Sequence, residues 1–325
     1  AREGIELAPL LDLRRCRASD LWKATPPEMR PVLGAASVFR KPFRRTALPP
    51  TTVTLLPEDA DGMVYLPKEI KDNLPALIDP AQLSDFHSHA ADYWLSQGDR
   101  RERLYHLLRA GRGKEAEMLL ASHGPQMSLT SDRDLFDLVM AVPCQHNRYA
   151  PRIREVQGTV ARYGAEHLVA LNVSEEQIAS NDIDEKLKGI KLKGGVLADR
   201  QEFPEAYGAL VSGRAFVAGL DIDLECAIAE VLIAQGKADE AKGLIQPLLH
   251  DVRCTNDLND LEKLYLEMGR ALLGNDEPRE AIKFLSKAMG LARSGDKRHI
   301  YESMSMAYLS IGMPEKGKEY ALKAG

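Results

Sequence analysis

The sequence predicts a mainly α fold: an α-solenoid of helix pairs over residues 81–325, behind a winged-helix-like region over residues 1–80. Three observations carry this. A pair of small residues twelve positions apart recurs three times toward the C-terminus, as Ala229 and Ala241, Gly269 and Ala281, Ser305 and Gly317. Between Ser128 and Val217 no stretch alternates apolar and polar residues as a half-buried strand would. Residues 1–80 are instead cut into short pieces by prolines and end in two β-prone runs around an Asp-Gly turn.

The repeats come first because they are the strongest signal. Three segments align: Leu224–Leu249, Leu261–Ala288 and Arg298–Ala324, with repeat spacings of 40 and then 36 residues. Small side chains let two crossing helices approach to the short end of the usual 8–10 Å. In the second segment Leu261, Leu264, Tyr265, Met268 and Leu272 form one helical stripe, and Ala281, Leu285 and Ala288 mark its partner helix. Between them Asp276 is the expected N-cap and Pro278 suits the first turn. The third segment uses Gly312-Met313-Pro314 in the same place. A more distant unit starts near Gln82, where Ala91, Trp94, Gly98 and Ala110 loosely fit the template. Further helices are expected near 132–142, 151–163, 175–193 and 203–218, separated by Pro143, Pro151, Gly164 and Pro204.

In the N-terminal region the helical pieces are Pro9–Lys23, Glu28–Phe39 and a short one near Phe43–Ala47. Thr51–Leu56 and Met63–Leu66, joined through Asp61-Gly62, read as a β-hairpin. Three helices and a hairpin outline a winged helix.

Two resemblances follow. Tyr265, Met268, Gly269, Leu272, Ala281, Leu285 and Ala288 resemble the tetratricopeptide repeat. The first copy departs from it at Glu225, where the family has a large apolar residue, and carries Pro247 late in its second helix. Met29–Phe43 resembles the winged-helix segment of the STAND signal-transduction ATPases and regulators, and the hairpin and the Ala90-Ala91-Asp92-Tyr93-Trp94 to Gly98-Asp99 stretch follow in that family's order. No phosphate loop precedes the segment. With Ala1 as its first residue, the chain is expected to be a piece of a longer protein.

Composition sets outer limits. The 325 residues carry 43 Lys and Arg against 48 Asp and Glu, a net charge of −5, so bulk charge does not demand a nucleic acid. The longest apolar stretches, such as Leu138–Pro143, fall far short of the ~20 residues of a membrane helix. Cys16, Cys144, Cys226 and Cys254 form no CxxC pair, which points to a reducing, cytoplasmic setting and neither a disulfide framework nor a zinc knuckle.

No motif points strongly to an enzyme, and no cofactor is expected. Asp85-Phe86-His87-Ser88-His89 has the spacing of a metal-binding histidine pair, but positions two apart on a helix do not share a face. A metal-dependent hydrolase built on His87 and His89 is the weakest of three readings. Gly111-Arg112-Gly113-Lys114 lacks the first Gly and the Ser or Thr of a phosphate loop. Cys144-Gln145-His146 follows Pro143, but a nucleophile and its base need spatial and not sequential adjacency, so a free buried cysteine is expected at Cys144. Asp182, Asp184 and Glu185 ahead of Lys186, Lys188, Lys191 and Lys193 suit a helix dipole.

The leading expectation is a non-enzymatic module that binds a protein, peptide or small ligand in the solenoid groove, as the sensor part of a STAND-type regulator. The tetratricopeptide resemblance implies groove contacts at Glu230, Lys263, Arg270, His299, Glu302 and Met306. The alternative is a DNA-binding regulator. From Arg14 to Arg45 there are nine basic residues against two acidic ones, and Arg40, Lys41, Arg44 and Arg45 are its candidate phosphate contacts. A homodimer through the C-terminal helix is a further expectation for partners.

Overall fold

The computed structural model describes residues 17–49, 56, 58–127, 132–144, 148–252, 257–292 and 297–324. It is mainly α, with seventeen α-helices and one two-stranded sheet among the described residues. The chain divides into two compact units, Ala1–Gly164 and Ala165–Gly325, so Pro80 falls inside the first.

The first unit opens with α1 (Ala18–Ala24) and α2 (Arg30–Ser37), which a 3₁₀ turn at Pro27–Met29 leads into. Phe43–Arg44 is β1 and pairs antiparallel with β2 (Met63–Val64). The short helix expected near Phe43–Ala47 is therefore corrected to this strand and a 3₁₀ turn over Arg45–Ala47. The reason is the long-range ladder, in which Phe43 lies opposite Val64 and Arg44 opposite Met63; Phe43 is fully buried there and stacks on Phe39, ring centroids 4.1 Å apart. Thr51–Leu55, the other half of the expected hairpin, lies outside the described residues, as does Pro9–Cys16.

After α3 (Lys68–Asn73) come α4 (Pro80–Gln97), α5 (Arg100–Arg109), α6 (Gly113–Met127), α7 (Arg133–Met140) and α8 (Ala150–Tyr163). Asp79 caps α4 by accepting from the Ala81 and Gln82 amides, and Gly98 ends it at φ 72°. The N-terminal residues are bound to these helices. Phe39 and Trp94 share one core, and Arg40 forks onto the buried Glu102 of α5 at 2.8 and 3.2 Å. Gly124 lets α6 meet α8, since a Cβ there would stand 2.4 Å from Val156 Cγ2.

The second unit contains α9 (His167–Ile178) and then four helix pairs: α10 (Ile183–Asp199) with α11 (Phe203–Gly213), α12 (Ile222–Ala234) with α13 (Ala238–Val252), α14 (Leu258–Gly274) with α15 (Pro278–Leu291), and α16 (Arg298–Ser310) with α17 (Pro314–Ala324). Their register is strict. The small residues Gly194, Ala229, Gly269 and Ser305 hold equivalent places in the first helices. Twelve positions on stand Ala206, Ala241, Ala281 and Gly317. The left-handed residue of each turn falls seven positions after the first set, at Gln201 (φ 64°), Gly236 (φ 75°), Asp276 (φ 60°) and Gly312 (φ 75°). Asp276 thus closes α14, and Glu277, not Asp276, is the N-cap of α15.

Close approach explains the small residues. A Cβ on Gly194 would stand 2.5 Å from Leu210 Cγ, and one on Gly269 2.7 Å from Leu285 Cγ. At the third crossing the Ser305 hydroxyl donates to the Gly317 carbonyl at 2.8 Å. Glu225, the departure in the first aligned copy, is accommodated by a two-point pair with Arg214, at 2.8 and 2.5 Å.

Candidate partner-binding face

The first helices α10, α12, α14 and α16 pack side by side in the second unit. Equivalent positions therefore form rows running from helix to helix. One row reads Lys188, Asp223, Lys263, His299, a second Gly195, Glu230, Arg270, Met306, and a third Ala198, Ile233, Leu273, Leu309.

The charged rows are cross-linked. Lys263 of α14 pairs with Asp223 of α12, and Lys191 of α10 lies 3.7 Å from the same carboxylate. Arg270 reaches Glu230 of α12 at 3.3 Å and Glu267 of its own helix at 3.1 Å. On α16, His299 lies 3.4 Å from Glu302. Met306 is 54% exposed, Leu309 52%, and Ile233 and Leu273 are half-buried. The face is thus a lattice of paired charges beside an apolar row that opens to solvent at its C-terminal end.

Burial tunes the groups behind it. Glu267 is buried, and desolvation outweighs Arg270 to push its carboxyl up to about 7. Its Oε2 has no hydrogen-bond partner. Burial likewise pushes the Cys226 thiol up, so it is no ready nucleophile.

Of the six groove residues expected from sequence, the structure joins Glu230 to Arg270 and His299 to Glu302, and it leaves Lys263 paired outside the set. Asp223, Lys191 and the row Ile233, Leu273, Leu309 were not expected. The fourth repeat, α10 with α11, was also missed. Gly194 and Ala206 are twelve apart like the other pairs, and that spacing could have revealed it. Its turn residue is Gln201, which does not mark a left-handed position as glycine does.

The basic N-terminal candidates are largely engaged within the first unit. Arg40 pairs with Glu102 and Asp134, Lys41 with Asp99 at 2.6 Å, and Arg45 with Glu58 at 3.5 Å. Arg44 is exposed and gives its backbone amide to Tyr93 Oη. Gly111-Arg112-Gly113 is a turn fixed by Arg112, which pairs with Glu115 and Asp92 and donates to Ser88. His87 is buried against His106 with Nδ1 atoms 2.9 Å apart, whereas His89 is exposed. Among the described residues no group of three or more His, Cys, Asp or Glu is placed to hold a metal ion. Cys144, expected to be buried, is instead exposed, and Gln145 and His146 lie outside the described residues. No helix among the described residues is long and apolar enough to cross a membrane.

The recurring small pair, the left-handed residue between its members and the stacked first helices define tetratricopeptide-type helix pairs. The comparisons agree on the fold. No family model matches the sequence, and no curated protein matches it. A solved signal transduction ATPase with numerous domains and a tetratricopeptide-repeat sensor, from Pyrococcus horikoshii, is similar over 94% of this chain and 51% of its own, with 13% identity and a TM-score of 0.53. The chain therefore spans about half of that protein. A tetratricopeptide repeat protein from Parabacteroides merdae is similar over 74% of this chain and 91% of its own, with 15% identity and a TM-score of 0.54.

Proposed function

We propose that the second unit binds a segment of a partner protein across α12, α14 and α16, and that the chain is the sensor part of a STAND-type regulator with no catalytic role of its own. The observation that carries the reading is the apolar row Ile233, Leu273, Leu309, flanked by Met306 and bordered by charges that are already paired with one another. Such a surface can bury apolar side chains of a partner without stranding a charge, which would be costly. Helical-repeat arrays present extended surfaces of this kind. The similarity to a protein described as having a tetratricopeptide-repeat sensor supports the regulatory part.

The test is selection of peptide ligands on the full chain, followed by Met306→Glu. Met306 is exposed, so the variant should keep its helicity and melting behaviour. Loss of about tenfold or more in affinity, roughly 1.4 kcal/mol, is expected for the selected peptides. Equal affinity of the variant would overturn the assignment of this face.

A further inference from the structure

The first unit holds a cleft of about 710 Å³ that belongs to a different part of the chain from the partner-binding face. That size lies within the range of small-molecule sites. Its walls come from three places: the end of α2 and the residues after it, α3 with the turn that follows, and the facing sides of α4 and α5. Four cations line it, Arg40, Lys68, Lys71 and Arg109, against one carboxylate, Asp72.

Among the described residues, only Arg40 of these four is spent on acidic partners, Glu102 and Asp134. Lys71 gives its ammonium to the Arg40 carbonyl at 3.0 Å, a neutral acceptor that leaves its charge uncompensated. Arg109 lies over the Tyr105 ring at 5.6 Å, with Arg40 over the same ring at 4.1 Å. His87 also lines the cleft and has its Nδ1 committed to His106, so only Nε2 is left to offer. The field is positive enough to be felt at the imidazoles. After burial, Arg109 is what holds the His87 pKa down, to about 4.

We infer that this cleft binds a small phosphorylated molecule, its phosphate held by Lys68, Lys71 and Arg109 and its body lying against Tyr105, Pro75 and Leu83. The chemistry favours phosphate. Two ammonium groups supply mobile point charges, a guanidinium supplies a planar fork, and the site is concave where a protein segment would need an open path. Asp72 at the rim is placed to accept from a hydroxyl of such a molecule and to discriminate against a bare polyanion.

The experiment is calorimetric titration of the full chain with glucose 6-phosphate, inorganic pyrophosphate and an oligoglutamate peptide, at two salt concentrations. Saturable binding of a phosphate probe is expected, weaker at high salt, and weaker by at least about tenfold in Lys68→Gln and in Arg109→Gln. Both residues are exposed, so neither variant should lose the fold. Absence of saturation by either phosphate probe, or binding that both variants retain, would overturn the inference. So would an oligoglutamate affinity that matches the phosphates and falls in the same variants, since the cleft would then be a dock for an acidic protein segment.

Discussion

The two units differ in the pH response of what they bury. Besides the carboxylates Glu102 and Glu117, the first buries two bases, His87 and His106, side by side with Nδ1 atoms 2.9 Å apart. The second buries an acid, Glu267, behind its charged rows. Desolvation opposes charge in both, but on opposite titration limbs. The difference teaches that one chain can carry two pH responses of opposite sign, and that each is tied to its own fold unit.

The largest expected effect tests this directly. Burial, and secondarily Arg109, lowers His87 to about 4; burial, then His87 and Arg40, lowers His106 to about 3. Both folded values lie below the unfolded value of about 6.5, so the unfolded state binds more protons and the first unit loses stability as pH falls below 6.5. At pH 5 the loss is about 2 kcal/mol for each histidine. Glu267 behaves in reverse. Its folded value, about 7, lies above the ordinary 4.5, so its contribution is present below pH 4.5 and is lost as pH rises toward 7. The second unit should gain about 2 kcal/mol between pH 7 and 5 from that group. The only two tryptophans, Trp22 and Trp94, lie in the first unit, so their fluorescence in urea reports it alone. Hydrogen exchange of α14 reports the second. A tryptophan midpoint that does not move between pH 7 and 5 would break the comparison, and His106→Gln should remove about half of the shift.

Intermediate effects come from the glycines that set helix crossings. Gly269→Ala places a methyl 2.7 Å from the fully buried Leu285, and about 1–3 kcal/mol of stability should be lost. Gly290→Ala meets nothing within 4 Å, and the same change there should stabilise by ~0.5–1 kcal/mol. Gly124→Ala in the first unit meets Val156 at 2.4 Å, whose branched side chain is stiff at χ1, so its cost belongs at the upper end. Chemical denaturation of the three variants orders them. Equal effects at Gly269 and Gly290 would mean that the crossing is looser than its geometry.

How much of this was legible in the sequence differs by unit for the same physical reasons. The repeats were readable because a helix crossing needs a small residue at a fixed place, and Ala229, Gly269 and Ser305 repeat that demand. The copy at Gly194 was hidden because its neighbours, Lys186 to Lys193, read as a solvated amphipathic helix. In the structure Lys191 and Lys193 reach Asp223 and Glu175 instead. The first unit offered only a loose copy of the period, at Ala91, Trp94, Gly98 and Ala110. Phe43–Ala47 was expected to be helical on local grounds, and long-range pairing of Phe43 with Val64 made Phe43–Arg44 a strand, with a 3₁₀ turn over Arg45–Ala47. The Arg40 fork onto Glu102 joins residues 62 apart in sequence, and no local pattern announces it. Of the candidate site, the charged groove positions were legible from the repeat register. The apolar row was not singled out, because half-buried Ile233 and Leu273 look like ordinary core residues until the first helices are stacked.

The smallest effect is the one that best separates structure from function at the partner-binding face. Lys263 and Asp223 are both about half exposed, so their pair contributes little to stability, ~0.2–1 kcal/mol, and salt should reduce it. Burial opposes the charge on Lys263, but Asp223 and Asp260 outweigh it and hold the ammonium's pKa above its usual value. Asp223 keeps Lys191 as a second partner, so Lys263→Met strands no carboxylate. The variant should therefore melt within a few degrees of the parent. A peptide long enough to reach from the apolar row past Arg270 to the first charged row should nevertheless discriminate between the two, because Lys263 stands ten residues, about 15 Å, from Leu273 along α14 and its charge would be gone. A melting shift as large as that of Gly269→Ala would show instead that the charged lattice is part of the scaffold, and would move the binding surface away from it, toward Met306 and Leu309.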